Sequence, residues 1–274
     1  MEKIVIKIGG SAFTEKSVDY FPLTLQEIRE RGKEFIRFDV LKREIREIYE
    51  AGVFPLVVIN GAGPFGHYLV SNWDLLDEKE IVHESVAYLN RIVVDYFKRF
   101  GIKTKSIAPF HTCKYLGDGN FDIIKLYELA KPFLESNEKV IVSTYGDIVK
   151  PVEGVSGSLG DYHVISGDDL AILLADLWKA DKIIMVIDED GVYDRNPKKF
   201  EDANLIKTIG SSEKLDFLFT SERIDVTGGI AKKVEKLQKA AERGIKGQII
   251  NGLKKGYLKR ALLGDERIGT LILS

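Results

Sequence analysis

The chain has 274 residues, 45% of them hydrophobic and 30% charged, with a formal net charge of -2. Interspersed charges near neutrality give no footprint for nucleic acid, and no apolar run approaches the ~20 residues that cross a bilayer. One cysteine, Cys113, excludes an intrachain disulfide or a cysteine-based zinc cluster, and a charged N-terminus without a signal peptide predicts a cytoplasmic enzyme.

Strand and helix patterns alternate from end to end. Residues 3–8 predict a strand that closes on the turn Ile8-Gly9-Gly10-Ser11. Residues 38–51 predict a helix, with apolar Val40, Leu41, Ile45 and Ile48 at helical spacing and Gly52 as its stop. The β-branched run 54–59 predicts a buried strand, followed by Asn60-Gly61-Ala62-Gly63-Pro64-Phe65-Gly66-His67. A helix is expected over 81–100, ending at Gly101, and a short strand at 106–108. Residues 122–136 read as a helix, with Pro132 as a candidate break. A strand at 139–143 leads to Tyr145-Gly146-Asp147, and the glycines and serines of 152–162 predict a hairpin turn. His163-Val164-Ile165 precedes a helix over 168–178, and a strand at 182–187 ends on Asp188-Glu189-Asp190-Gly191. A helix over 229–242, stopped by Gly244, and a strand at 247–250 complete the pattern.

This alternation predicts an α/β fold: an open three-layer αβα sandwich around a mainly parallel sheet. No linker or repeat interrupts it, so residues 1–274 are read as one domain. An N-terminal lobe of about 1–180 and a C-terminal lobe of about 181–274 would share that sheet. Open α/β sheets bind ligands beyond the carboxyl ends of their strands, where the glycine-rich and aspartate-rich motifs all fall.

Glycine-rich turns after strands let backbone amides approach an anion, and two of them predict a protein that joins two phosphorylated molecules. Lys7 lies inside an apolar strand, where a charge needs a partner or a ligand. Lys232 and Lys233 lie near a helix start and oppose its dipole, which a polyphosphate would offset. Lys16, read by itself, is an ordinary surface lysine. Asp168 and Asp169 serve either as helix caps or as carboxylates that orient lysines. Asp188 and Asp190 fit a turn equally well. His67 is either a structural histidine or, after a phosphate-type turn, a donor to a monophosphate. Cys113 reads as a small core residue.

Taken together, these motifs resemble the amino acid kinase superfamily over essentially the whole chain. The resemblance runs through Lys7-Ile8-Gly9-Gly10-Ser11, the 60–67 turn, Tyr145-Gly146-Asp147-Ile148, Ile165-Ser166-Gly167-Asp168-Asp169, Asp188-Glu189-Asp190-Gly191-Val192-Tyr193 and Asp225-Val226-Thr227-Gly228-Gly229. Phe65-Gly66-His67 and Ser166-Gly167-Asp168-Asp169 are narrower and most similar to the isopentenyl phosphate kinases, with the fosfomycin kinases beside them.

The resemblance implies ATP as donor, Mg2+ bridging its oxygens largely without protein ligands, and a homodimer. It implies that Lys7 and Lys233 bind the ATP phosphates and that Lys16 stabilises the transferring group. The amides around Gly9, Gly10, Ser11 and Gly63 would hold phosphates, with Asp188, Gly191 and Gly229 on the nucleotide side. Ala62, Gly66, His67 and Gly167 would contact the acceptor, and Asp168 would orient the lysines.

The expected reaction is in-line transfer from ATP to isopentenyl phosphate, which needs no general base because a phosphate oxygen is already ionised. The rivals are a kinase of another small phosphate or phosphonate, such as fosfomycin, and a non-catalytic regulator on the same fold. An apolar chamber from the segment 73–96, with Leu75, Leu76, Ile81, Val82, Val86, Tyr88 and Leu89, would favour a prenyl tail. Two departures stand out: where the family reads His-Gly-Gly-Gly this chain has Asn60-Gly61-Ala62-Gly63, and Pro64 follows. Ala62 would be strained if its position required positive φ, and Pro64 has no amide to donate.

Overall fold

The computed structural model describes residues 2–15, 18–136, 138–214 and 229–274. The first half comprises β1 (Ile4–Ile8), α1 (Gly10–Phe13), α2 (Leu25–Arg31), α3 (Phe38–Ala51), β2 (Leu56–Asn60), α4 (Pro64–Ser71), α5 (Ile81–Arg99), β3 (Lys103–Ser106) and α6 (Pro109–Thr112). It continues with β4 (Lys114–Gly117), β5 (Asn120–Asp122), α7 (Ile124–Leu134), β6 (Val140–Tyr145), β7 (Asp147–Val149), β8 (His163–Ile165) and α8 (Gly167–Trp178). The remainder is β9 (Lys182–Ile187), β10 (Val192–Tyr193), β11 (Leu205–Ile206), β12 (Thr208–Gly210), α9 (Gly229–Ala241), β13 (Lys246–Asn251), α10 (Tyr257–Leu262) and β14 (Thr270–Leu273).

Among the described residues the main sheet has eight strands in the order β12-β14-β13-β9-β1-β2-β6-β3. Every pairing in it is parallel except β13 with β14. Strand alternation distributes the core to two faces. Ile4, Ile6 and Ile8 of β1 pack with α3, α4, α5 and α10, whereas Val5, with Val57 and Ile59 of β2, packs with α7, α8 and α9. This is the expected three-layer αβα sandwich. The central strands β1 and β2 are buried along their whole length, as their unbroken apolar runs require.

Local signals explain most boundaries. The apolar stripe of α3 is buried, and its stop, Gly52, adopts a left-handed φ of 68° while donating its N–H to the Ile48 carbonyl. Helix α8 begins with a capping box: the Ser166 hydroxyl accepts from the Asp169 amide, and Asp169 reciprocates at the Ser166 amide. The 152–162 segment turns between the antiparallel strands β7 and β8.

The structure corrects the sequence reading at several points. The strand expected at 106–108 lies earlier, at β3; its residues Lys103, Thr104 and Lys105 carry no apolar signal because β3 is the sheet edge. Helix α7 runs through Pro132, which falls in its last turn where only one backbone bond is lost. The 60–67 turn is shorter than expected, because α4 already begins at Pro64. Proline fits there: the first helical position has no intrahelical use for an N–H.

Candidate active site

Strands β1 and β2 are neighbours at the centre of the sheet, so the turns that follow them meet. A Cβ on Gly10 would lie 2.5 Å from the Gly63 nitrogen, and one on Gly61 would lie 2.2 Å from the Gly10 nitrogen. Only glycine allows two backbones this close. Gly63 also has φ 51°, and a side chain there would run into Thr14 Oγ1. Ala62, by contrast, is not among the residues with positive φ, so it carries no strain. Both departures from the family pattern therefore fit the backbone without penalty.

Gly10 and Ser11 open α1, and Gly63 caps α4, so these turns present helix-start amides without intrahelical acceptors. The Gly9 amide differs from that expectation: it is donated to the Val186 carbonyl at 2.8 Å, tying the turn to β9. Ser11 Oγ donates to Asp188 Oδ1 at 3.0 Å, a second tie between the ends of β1 and β9. Asp190 accepts from Asn251 and Lys254, and Gly191, at φ 150°, leaves room for Thr270 Oγ1.

Lys7 points to the face of the sheet that α8 and α9 cover. Its Nζ lies 3.0 Å from Asp168 Oδ1, and Lys233 Nζ lies 2.7 Å from Asp168 Oδ2. One carboxylate thus holds two lysines. Because Ser166 and Asp169 form the cap, Asp168 is left for this task. Burial alone would push the Asp168 carboxyl up, but Lys7 and Lys233 outweigh it and hold the group well below the usual carboxylate range. Burial lowers Lys7, which Asp168 opposes and the positive Lys233 reinforces. A Cβ on Gly167 would lie 3.2 Å from Ile59 Cγ2 and 3.4 Å from Lys7 Cε, so the start of α8 packs closely over β1 and β2. Gly229 opens α9; Lys233 faces inward from that helix, while Lys232 is exposed.

His67 lies in the first turn of α4, its N–H donated to the Gly63 carbonyl at 2.9 Å. The residue is exposed to solvent, although protein surrounds much of its ring. Burial, then the charges of Lys7 and Lys233, hold its imidazole below the ordinary histidine value. Histidine, two lysines and three helix starts therefore share one electrostatic neighbourhood. Lys16 and the 225–228 part of the last motif lie outside the described residues.

Sequence reading missed Lys236, whose Nζ lies 2.6 Å from Asp169 Oδ1. Its spacing of three residues after Lys233 on one helix was the available signal. The segment 73–96 meets the turn at Val86, whose Cγ1 would be 3.2 Å from a Cβ on Gly66, at Tyr88, whose ring lies 6.4 Å from that of Phe65, and at Asn90, which donates to Asn60. Leu76, Ile81, Val82 and Leu89 are core residues, and Leu75 is exposed. Cys113 is buried, and that burial pushes its thiol up to about 12, which leaves it inert. Among the described residues no three His, Cys, Asp or Glu side chains gather as metal ligands. No helix there is long and apolar enough to cross a membrane.

Residues 2–251 match the model of the amino acid kinase family. The chain is 32% identical to the isopentenyl phosphate kinase of Methanothermobacter thermautotrophicus over 98% of each chain. It is 30% identical to that of Methanocaldococcus jannaschii over 95% of each. A solved structure described as an isopentenyl phosphate kinase superposes with a TM-score of 0.77 at 29% identity, covering 98% of this chain and 99% of that one.

Proposed function

The chain belongs to the amino acid kinase family, and we propose that it is an ATP-dependent kinase that phosphorylates isopentenyl phosphate to isopentenyl diphosphate. The observation that carries this reading is the Lys7–Asp168–Lys233 cluster beside paired glycine turns, with His67 within its field. Full-length similarity to named isopentenyl phosphate kinases supports the acceptor.

An acceptor phosphate oxygen attacks the γ-phosphorus of ATP in line. The bond to the β–γ bridging oxygen breaks, and ADP leaves with that electron pair. No proton has to be removed. Lys7 and Lys233 neutralise charge on the donor phosphates, and Asp168 keeps the two like charges at fixed positions. Lys16 is assigned to the transferring group on the resemblance. His67 grips the acceptor phosphate, and the backbone of Ala62, Gly66 and Gly167 encloses it. Gly9, Gly10, Ser11, Gly63, Asp188, Gly191 and Gly229 shape the donor side, Gly9 through its tie to β9.

Both Asp168 oxygens face lysines, and Mg2+ is assigned to enter with ATP as part of the donor substrate, as the resemblance implies. The same reading places the acceptor on a lobe of about 1–180 and the nucleotide on 181–274, in a cytoplasmic homodimer. A purely regulatory role fits poorly with an intact lysine–carboxylate cluster.

Phosphorus NMR of enzyme, MgATP and isopentenyl phosphate tests this directly. The monophosphate resonance should give way to a coupled diphosphate pair as ADP accumulates. ATP hydrolysis to inorganic phosphate without diphosphate would refute the reading.

A further inference from the structure

Two arginines at the start of α3 reach the ligand end of the sheet. Arg37 immediately precedes α3 and grips α1, the short helix formed by the turn after β1. Its N–H donates to the Phe13 carbonyl at 2.8 Å. Its Nη2 donates to the carbonyls of Ser11 and Thr14, the latter at 3.0 Å. A helix of one turn leaves its last carbonyls without donors, and Arg37 supplies them. Arg43, six residues on, donates its Nη2 to the Gly252 carbonyl in the turn after β13. That turn lies against both helices: a Cβ on Gly252 would be 2.5 Å from Glu44 Oε1 of α3 and 3.4 Å from Ala12 Cβ of α1.

The Nε atoms of Arg37 and Arg43 are buried, and among the described residues neither has a hydrogen-bond partner. A buried donor without an acceptor is destabilising, so a helix face that only had to pack would be better served by apolar side chains. The main chain that the arginines hold gives them a purpose. Ser11, on α1, donates through Oγ to Asp188 at 3.0 Å. Asn251 and Lys254, on either side of Gly252, donate to Asp190 at 2.8 and 2.7 Å. The Gly252 N–H donates to the Ile187 carbonyl at 2.8 Å. The two held turns therefore flank the end of β9, one on Asp188 and the other on Asp190.

We propose that Arg37 and Arg43 are positioning residues for ATP: α3 uses them as a two-point clamp that fixes the turn after β1 and the turn after β13 around the end of β9. They act through main-chain carbonyls, and the set separation of the two turns is what the donor nucleotide meets. The inference rests on the kinase reading and adds to it determinants of donor affinity that lie on a helix outside the glycine turns.

Arg43→Met is the sharpest test, because the Gly252 turn lies farther along the sheet from the acceptor turn than α1 does. Calorimetry should show the Kd for MgATP rising about fivefold or more, the scale of one lost hydrogen bond. The KM for isopentenyl phosphate should stay within about twofold of wild type. Arg43→Lys, which keeps a donor for one carbonyl, should recover most of the loss. Arg37→Met should weaken MgATP at least as much and also lower kcat about tenfold or more, because α1 abuts the acceptor turn at Gly63.

An unchanged MgATP Kd in folded Arg43→Met overturns the proposal, and so do equal losses for both substrates, which mark a general loosening of the fold. Failure of Arg43→Lys to recover affinity overturns it as well. If Arg43→Met does not fold, Arg37→Met decides: an MgATP Kd within twofold of wild type overturns the clamp, and a rise of fivefold or more supports it. Wild-type enzyme that binds no MgATP would remove the kinase reading and the clamp with it. Normal wild-type binding with unaffected variants would remove the clamp alone.

Discussion

Gly10 and Gly63 meet backbone to backbone, with 2.5 Å between the Gly63 nitrogen and the place a Gly10 Cβ would occupy. The turn after β1 and the turn after β2 are thus one rigid unit, and donor and acceptor spacing is built into it. Gly10→Ala should push the turns apart by an ångström or so. Misplacement on that scale costs on the order of 10²-fold in rate. We expect kcat to fall by about that factor, with a lower melting temperature. Steady-state kinetics with both substrates varied would check this, and near-normal kcat would show that the contact does not set alignment.

Asp168 governs the alkaline limb of activity. Burial holds Lys7 below the ordinary lysine value of 10.5, and Asp168 opposes that shift. Lys7 must be protonated to act, so activity should decline as pH rises through a value below 10.5. Asp168→Asn removes the opposing charge and leaves Lys233 repelling Lys7. The alkaline limb should therefore move to still lower pH, and kcat/KM should fall at every pH. A pH–rate profile of the variant that superposes on wild type after scaling would contradict the assignment.

His67 is held below its ordinary value by burial and by two lysines. A dianionic phosphate beside it reverses that field and favours the protonated ring. Acceptor binding near neutral pH should therefore take up protons, seen in calorimetry as heats that vary with the ionisation enthalpy of the buffer. Buffer-independent heats would argue against it. His67→Ala should reduce kcat/KM by ~1.5–3 kcal/mol, the worth of a hydrogen bond to a charged group. His67→Gln should lose less.

Glu44 of α3 is 1% exposed, and among the described residues neither carboxylate oxygen has a hydrogen-bond partner. Burial pushes its carboxyl up to about 8. Because the folded value exceeds the unfolded one, the native state binds the extra proton between them. The stability of the native state should therefore fall as pH rises from the ordinary carboxylate range towards about 8. The slope from this group approaches ~1.4 kcal/mol per pH unit. Glu44→Gln should abolish that slope, so its advantage over wild type should be greatest above pH 8 and vanish near pH 4. Denaturant midpoints of both proteins across this range would measure it; a constant difference would contradict the account.

Much of this architecture could be read from residue patterns alone. The buried runs of β1, β2 and β9 and the stripe of α3 announce themselves by apolar spacing, and glycine turns mark the sheet's ligand end. Edge strand β3 could not be read, because a solvated strand has no apolar alternation. Helix α4 was masked by the glycines that precede it. At the site, Lys7 stood out as a charge inside an apolar strand. The role of Asp168 was ambiguous until Ser166 and Asp169 took the cap. Lys236 and the Asn60–Asn90 contact depend on partners distant in sequence, which spacing along the chain does not encode.

The central claim concerns the acceptor, and a specificity panel tests it most directly. Coupled ADP release should be measured with MgATP and isopentenyl phosphate, dimethylallyl phosphate, longer prenyl phosphates, fosfomycin, glutamate and UMP. The account predicts the highest kcat/KM for isopentenyl phosphate. Equal or better turnover of glutamate, UMP or fosfomycin would contradict it.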